Sequence, residues 1–387
     1  MKTITGYKRA NGEIGIRNHL LIIPTVVCSN QVCNRIMQMV PNTVAIPHQH
    51  GCSQIGDDGV RTFATLAGIG KNPNVGGVIV IGLGCEGVNP YKLADEIRST
   101  GKPVEVMEIQ DVGGSIKTIE RGIEVAQKMR AQIDDQAAKV DMPLSELKIG
   151  VKCGGSDATS GLASNPALGV ASDRLVAQGG TVVISETTEI IGAEQLLAAR
   201  CESQETIDQL YYYIDRFERE IARMGADMRG GNPSPGNIAG GLTTIEEKSL
   251  GCISKCGTAP LQGAYEYAEP VPGKGLYFMD SPGNDIECVS GMSASGLHLV
   301  CFTTGRGTPT GNPVVPVIKI TGNAPMYEKM KDNIDVNVSG LLEGSISMDQ
   351  AGGLIWDEIC EVAAGKLTKA EILGHHEFSI NRIGPSL

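Results

Sequence analysis

The residues best suited to chemistry in this 387-residue chain collect in short loops of one character. They are His48-Gln-His-Gly-Cys52-Ser-Gln-Ile-Gly-Asp57-Asp58, Gly82-Leu-Gly-Cys85-Glu86, Cys153-Gly-Gly-Ser156-Asp157, Asp280-Ser-Pro-Gly-Asn284-Asp285 and Thr304-Gly-Arg306-Gly-Thr308-Pro309. Each is small, polar and glycine-bearing, so backbone N–H groups could approach an anion. His48 and Cys52 lie four apart across a glycine, a spacing that could let both reach one metal ion, with His50 a weaker third choice. Cys85 and Cys153 are candidate soft ligands, although a free cysteine is often a small buried residue and nothing more. Glu86 and Asp157 follow those cysteines closely and would be costly to bury unpaired.

Cations come next. Arg306 sits between two glycines, where a planar guanidinium suits a carboxylate or sulfonate. Thr304, Thr308, Ser156 and the amide of Asn237, in Asn232-Pro-Ser234-Pro-Gly-Asn237, are candidate substrate contacts. Lys248 is the second candidate cation. The expected roles are therefore catalysis for His48, Lys248 and Arg306, and metal binding for His48, Cys52, Cys85 and Cys153. The other cysteines at 33, 201, 288, 301 and 360 fall within apolar elements and are expected to pack.

These loops need a scaffold, and the periodicity supplies one. Leu20–Val27, Thr43–Pro47, Gly77–Gly82 and Val104–Ile109 are short apolar runs of strand length. They alternate with helical stretches at Asn30–Val40, Val60–Ile69, after Pro90, and from Ser115 to about Lys139. Such alternation predicts an α/β fold with mainly parallel sheets covered by helices. The pattern breaks at Asp141–Glu146 and restarts with strands at Leu147–Cys153 and Thr181–Ser185 around a helix at Asn165–Gln178. It continues with helix over about Ala193–Gly225, strands at Gly275–Met279, His298–Thr303 and Val314–Ile320, and helix around Met348–Gly365. Two α/β units follow, residues 1–142 and 143–387. The second holds a Gly/Pro segment, 226–241, expected to be a linker or a functional loop.

Composition narrows the function. Hydrophobic residues make up 41% and charged residues 20%, as in a globular protein with more than one core. The net charge of −11, without a basic cluster, argues against nucleic acid, and aromatics at 4% supply no stacking platform. No run approaches the roughly 18–20 apolar residues of a membrane span. An odd count of 11 cysteines, without a signal peptide or a Cys-x-x-Cys pair, points to reduced thiols in the cytoplasm.

The same residues carry a family resemblance. Gly6-Tyr7, Arg9-Ala-Asn-Gly, Gly15-Ile-Arg17-Asn18, the His48–Asp58 loop, Gly82–Glu86, Cys153–Asp157, Asn232–Asn237, Ser249-Leu-Gly-Cys252 and Thr304–Pro309 occur in the order seen in altronate/galactarate dehydratases. The chain resembles that family from about residue 5 to its C-terminus. The resemblance implies a lyase that uses a divalent metal, Fe2+, to drive β-elimination on a small anionic 2-hydroxy acid. The small β-rich, SAF-like domain that precedes this body in the fused members is not seen ahead of Gly6. The resemblance is thus to a split, large-subunit form, with a small SAF-like subunit as expected partner. For that form the favoured reaction is (2R)-3-sulfolactate to pyruvate and sulfite. A sugar-acid dehydratase, a non-catalytic scaffold subunit and an iron–sulfur dehydratase are the alternatives.

Overall fold

The computed structural model describes residues 4–385 and 387. The apolar runs become two parallel sheets. The first has four strands in the order Thr43–Ala45, His19–Pro24, Val75–Gly82, Val104–Glu108. Every residue of Val75–Gly82 is buried, as a strand with helices on both faces requires. The second has seven strands in the order Leu261–Tyr265, Gly275–Met279, Thr181–Ser185, Lys148–Cys153, Leu299–Thr303, Val317–Thr321, Val336–Asn337. All of its pairings are parallel as well.

Chain order and spatial order diverge in the second sheet. From Lys148–Cys153 the chain steps to one side, through Thr181–Ser185. It later crosses back to add Leu299–Thr303 on the other side. The crevice beyond the carboxyl ends of Lys148–Cys153 and Leu299–Thr303 is therefore a topological switch point, where open α/β sheets place ligands.

A third sheet pairs the stretch that the sequence marks as a break. Lys139–Met142 runs antiparallel to Ile4–Lys8, which also pairs with Ile14–Gly15. Polar anchors fix this piece to the rest. The Arg9 guanidinium donates to Pro73 O (2.7 Å), Arg17 O (2.7 Å) and Asn18 Oδ1 (2.8 Å). Arg17 pairs with Glu371 at 2.8 Å, and Asn74 Nδ2 reaches His298 O and Val314 O, just ahead of two strands of the second sheet. The Gly6–Asn18 motif thus works as a clamp. Gly15 is required there, since a Cβ would meet Pro73 O at 1.9 Å.

Between the two parallel sheets runs one continuous core. Leu21, Ile23, Val78 and Val80 come from the first sheet, and Val183, Val300 and Phe302 from the second. Helices Asp57–Lys71 and Asp285–Ala294 cross inside it, so closely that a Cβ on Gly68 would meet Ala294 O at 2.4 Å. The outer faces have separate cores: Ile22, Ile36, Ile79 and Ile133 for the first sheet, and Ile149, Leu168, Ile184 and Ile355 for the second. Among the described residues, no helix is long and apolar enough to cross a membrane.

Segment 226–241 is neither linker nor open loop throughout. It contains a helical turn at Met228–Gly230 and the short helix Pro235–Ala239, where Ser234 and Asn237 form a reciprocal capping box.

Candidate active site

A cavity of about 560 Å³ opens at the switch point of the seven-stranded sheet. Its wall comes from loops that follow strands: Gly154–Ser156, Thr188–Glu189, Gly283–Asp285 and Arg306–Gly307. Lys248 and the 231–237 segment close it. Of the expected residues, Ser156, Asn237, Lys248 and Arg306 therefore meet in one place.

Their bonds assign different jobs. Ser156 is 3% exposed and its Oγ has no hydrogen-bond partner in the protein, which leaves a buried hydroxyl free on the cavity wall. Asn237 is fully engaged: Nδ2 donates to Ser156 O at 2.9 Å, and Oδ1 accepts from Ser234 N at 3.0 Å and Oγ at 2.9 Å. It positions Ser156 and the turn, and keeps little capacity for a ligand. Thr304 is buried, and its Oγ1 accepts from Gly307 N at 2.9 Å, bracing the turn that carries Arg306. Thr308 Oγ1 bonds Thr310 Oγ1 at 2.8 Å. Arg306 spends one N–H on Gly236 O at 2.9 Å and is otherwise exposed to the cavity mouth.

Beneath the cavity lies a buried ionic network. Glu189 Oε1 pairs with Lys248 Nζ at 3.2 Å. Glu189 Oε2 accepts from Cys153 Sγ at 2.8 Å and Cys252 Sγ at 3.1 Å, and faces Lys255 Nζ at 3.4 Å. Lys255 Nζ also reaches Cys153 Sγ at 3.0 Å and Glu186 Oε2 at 3.3 Å. Lys152, wholly buried, pairs with Glu186 and with Asp285 Oδ1, the latter at 2.8 Å.

Burial alone would raise the Glu189 carboxyl, but the Lys248, Lys255 and Lys152 ammoniums outweigh it and hold the group ionised. Burial, then the neighbouring Glu189 charge, push Glu186 up. Burial would lower Lys248, yet Glu189 raises it, so it stays a cation rather than a base. Burial also works against a Cys153 thiolate. The hydrogen bond to Cys252 and the Lys255 and Lys152 charges overcome it and lower that thiol.

The expected metal ligands do not come together as one set. Cys153 lies under the seven-stranded sheet's cavity, whereas His48, Cys52 and Cys85 belong to loops of the four-stranded sheet. Nor is His48 available in its present arrangement. Its Nε2 bonds Pro24 O at 2.7 Å and its Nδ1 accepts from His50 N at 3.1 Å, so the ring is neutral with both nitrogens engaged. Burial lowers it to about 4. Among the described residues, the one set of three His, Cys, Asp or Glu ligand atoms within 4.8 Å of one another is Cys153, Glu189 and Cys252. Two thiols and a carboxylate are a reasonable donor set for iron or zinc. The Lys255 ammonium already fills the cation position of that set, with Lys152 and Lys248 behind it, so a divalent ion does not fit there.

Glu189 and Lys255 are the functional candidates that the sequence argument missed, and Cys252 entered it only within the Ser249-Leu-Gly-Cys252 motif. The signal for Glu189 was present: Glu186-Thr-Thr-Glu189 directly follows the strand Thr181–Ser185, at the same sheet edge as the chosen loops.

A parallel α/β protein whose switch-point cavity is lined by two cations, Lys248 and Arg306, and two carboxylates, Glu189 and Asp285, has the architecture of a small-molecule site. Comparison with known proteins gives the family. Residues 6–134 match the model "D-galactarate dehydratase/Altronate hydrolase, second domain", and residues 144–386 match "D-galactarate/Altronate dehydratase, C-terminal". The chain is 41% identical to the (2R)-sulfolactate sulfo-lyase subunit beta of Chromohalobacter salexigens, covering 99% of this chain and 98% of that one. It is 37% identical to the altronate dehydratase of Bacillus subtilis, over 100% of this chain and 79% of that one. Against the altronate dehydratase of Escherichia coli the identity is 38%, over 98% and 78%. The chain belongs to the galactarate/altronate dehydratase family.

Proposed function

We propose that this chain is the large subunit of a lyase that removes sulfite from (2R)-3-sulfolactate and leaves pyruvate. The observation that carries this reading is the cavity that joins two cations, Arg306 and Lys248, to the unpartnered Ser156 hydroxyl above an ionised Glu189. Sulfolactate has an anion at each end and a hydroxyl between. In this reading Arg306 takes the sulfonate, Lys248 the carboxylate, and Ser156 Oγ donates to the substrate's oxygens. Glu189 accepts the C2 proton. The carbon–hydrogen pair becomes the C2–C3 double bond, the C3–S pair departs with sulfite, and the enol takes up a proton at C3 as its hydroxyl proton is lost to water, giving pyruvate. Lys248 offsets the charge that develops on the substrate carboxylate, the step most in need of help. The family resemblance implies a divalent metal, which we take to be Fe2+; with the Lys255 ammonium filling the Cys153–Glu189–Cys252 set, no step of this reading is routed through it.

The name "subunit beta" on the sulfo-lyase relative supports a multi-subunit enzyme. We assign a small SAF-like subunit as partner, and the division near residue 142 as a domain boundary. The dehydratase relatives support a second reading, in which the substrate is a sugar acid and water leaves. A panel of 2-hydroxy acids, assayed for sulfite and for 2-oxo acid with and without the small subunit, decides between them. Equal sulfite and pyruvate from sulfolactate, rising when the small subunit is added, is the expected result. A 2-oxo acid from altronate or galactarate alone supports the second reading. Full turnover without any partner removes the two-subunit assignment.

A further inference from the structure

The Lys255 ammonium fills the Cys153–Glu189–Cys252 set and leaves a metal ion no place in the cavity floor. A different group of thiols offers one. Of the 11 cysteines, Cys28, Cys52 and Cys85 are exposed, whereas six are buried and two half-buried. The three exposed ones lie far apart in sequence, yet each follows a different strand of the four-stranded sheet. Cys28 comes after His19–Pro24, Cys52 after Thr43–Ala45, and Cys85 after Val75–Gly82, three strands that are neighbours in the sheet.

Direct bonds tie these three loops together. Val27 N, next to Cys28, donates to His50 O at 3.0 Å. Gly51 O, next to Cys52, accepts from Gly87 N at 2.9 Å, two residues beyond Cys85. Thr25 Oγ1, three residues before Cys28, bonds Glu86 Oε1 at 2.5 Å. The approach is close enough that a Cβ on Gly51 would meet Thr25 O at 2.0 Å. The Glu86 carboxylate also accepts from Leu83 N (3.0 Å), Gly84 N (2.8 Å) and Cys85 N (2.9 Å), which fixes the third loop from within.

We propose that Cys28, Cys52 and Cys85 bind an iron–sulfur cluster through three thiolates, leaving one iron without a protein ligand and open to solvent. Three soft sulfur donors, with only the neutral Ser53 hydroxyl beside Cys52, favour a cluster over a hard divalent ion. Glu86 is spent on its own loop, and both His48 nitrogens are bonded. A single tetrahedral ion needs its ligand atoms as tightly gathered as the buried set, within 4.8 Å. The loop thiols are not gathered so tightly, and a cluster bridges a wider gap between its cysteines. The inference does not depend on which hydroxy acid is the substrate.

The test is anaerobic reconstitution of the full chain with Fe2+ and sulfide, read by visible absorption and by iron and acid-labile sulfide per chain. Cys28→Ser, Cys52→Ser and Cys85→Ser should each lose the visible band and most of the sulfide while keeping the far-ultraviolet circular dichroism of the parent. Cys153→Ser, Cys252→Ser and the half-buried Cys201→Ser should retain both. Iron bound without sulfide would overturn the proposal. So would a cluster that survives all three loop substitutions, or one lost in Cys153→Ser but kept in Cys28→Ser.

Discussion

Lys248, Arg306 and Ser156 divide the binding of an anion among three different physical situations. Lys248 is held by Glu189 and Asn232, at 3.2 Å and 2.8 Å, so its charge is pre-positioned. Arg306 has one anchor and donors to spare. Arg306→Ala should therefore raise KM by roughly 10- to 100-fold, the worth of one or two charge-assisted hydrogen bonds, with a smaller effect on kcat. Arg306→Lys should recover only part, because an ammonium lacks the planar pair of donors. Ser156→Ala separates binding from structure. A buried hydroxyl without a partner contributes nothing to the folded state, so the variant should melt no lower than the parent while KM rises. A fall in melting temperature with unchanged KM would assign Ser156 to packing. Ser156 and Arg306 were legible in the sequence because each sits in a short glycine-bearing loop after a strand, whereas Lys248, in the helix Ile245–Ile253, stood out only as a candidate cation. Lys255 was not legible, because its neighbours are helical; Glu189 follows a strand, but only the folded chain brings residues 153, 189, 252 and 255 together. His48 shows the converse. Its spacing from Cys52 suits a ligand pair, yet backbone bonding two residues away takes up the ring.

Among the elements, the edges of the strands carry buried histidines that couple folding to pH. His298 opens the strand Leu299–Thr303; its Nδ1 accepts from Lys148 N at 2.9 Å and its Nε2 meets Ile14 O at 2.9 Å. Burial lowers His298 and His48 each to about 4, against an ordinary 6.5. Between pH 4 and 6.5 the unfolded chain binds more protons than the folded one, so stability rises with pH across that window and is complete above it. Each histidine accounts for up to about 3 kcal/mol of the loss on acidification. Melting temperature should thus fall steeply from pH 6.5 to 4.5. His298→Asn should be less stable at pH 7 but lose less on acidification, and an unchanged slope would exclude the histidine as a cause. Strands and helices flanked by clear turn residues were legible from periodicity alone. The antiparallel Lys139–Met142 was not, since a charged, mostly exposed four-residue strand carries no apolar signature and exists because Ile4–Lys8 lies beside it. Leu261–Tyr265 escaped for a related reason: its partner, Gly275–Met279, is parallel and lies beyond an irregular stretch rich in proline and glycine.

At the scale of the whole molecule, the sheets are separate in hydrogen bonding but not in packing. Leu21 and Val78 on one side and Val300 and Phe302 on the other belong to a single apolar layer. The Arg17 and Asn74 anchors add polar ties across the same junction. Consider the chain severed at the turn around Pro143 and produced as two polypeptides, 1–143 and 144–387. Each piece alone would present part of that layer to water, a surface that favours aggregation over solubility. Produced together, the pieces should find each other, because the interface is already complementary and needs no covalent link to be rebuilt. A tag on one fragment should then retrieve the other in equal amount, and the reunited pair should melt as one cooperative unit. Two fragments that each stay soluble, monomeric and cooperatively folded would show the common layer to be dispensable. The continuity of this core makes the molecule a natural candidate for split-protein reassembly, with the junction near Pro143 as the place to cut.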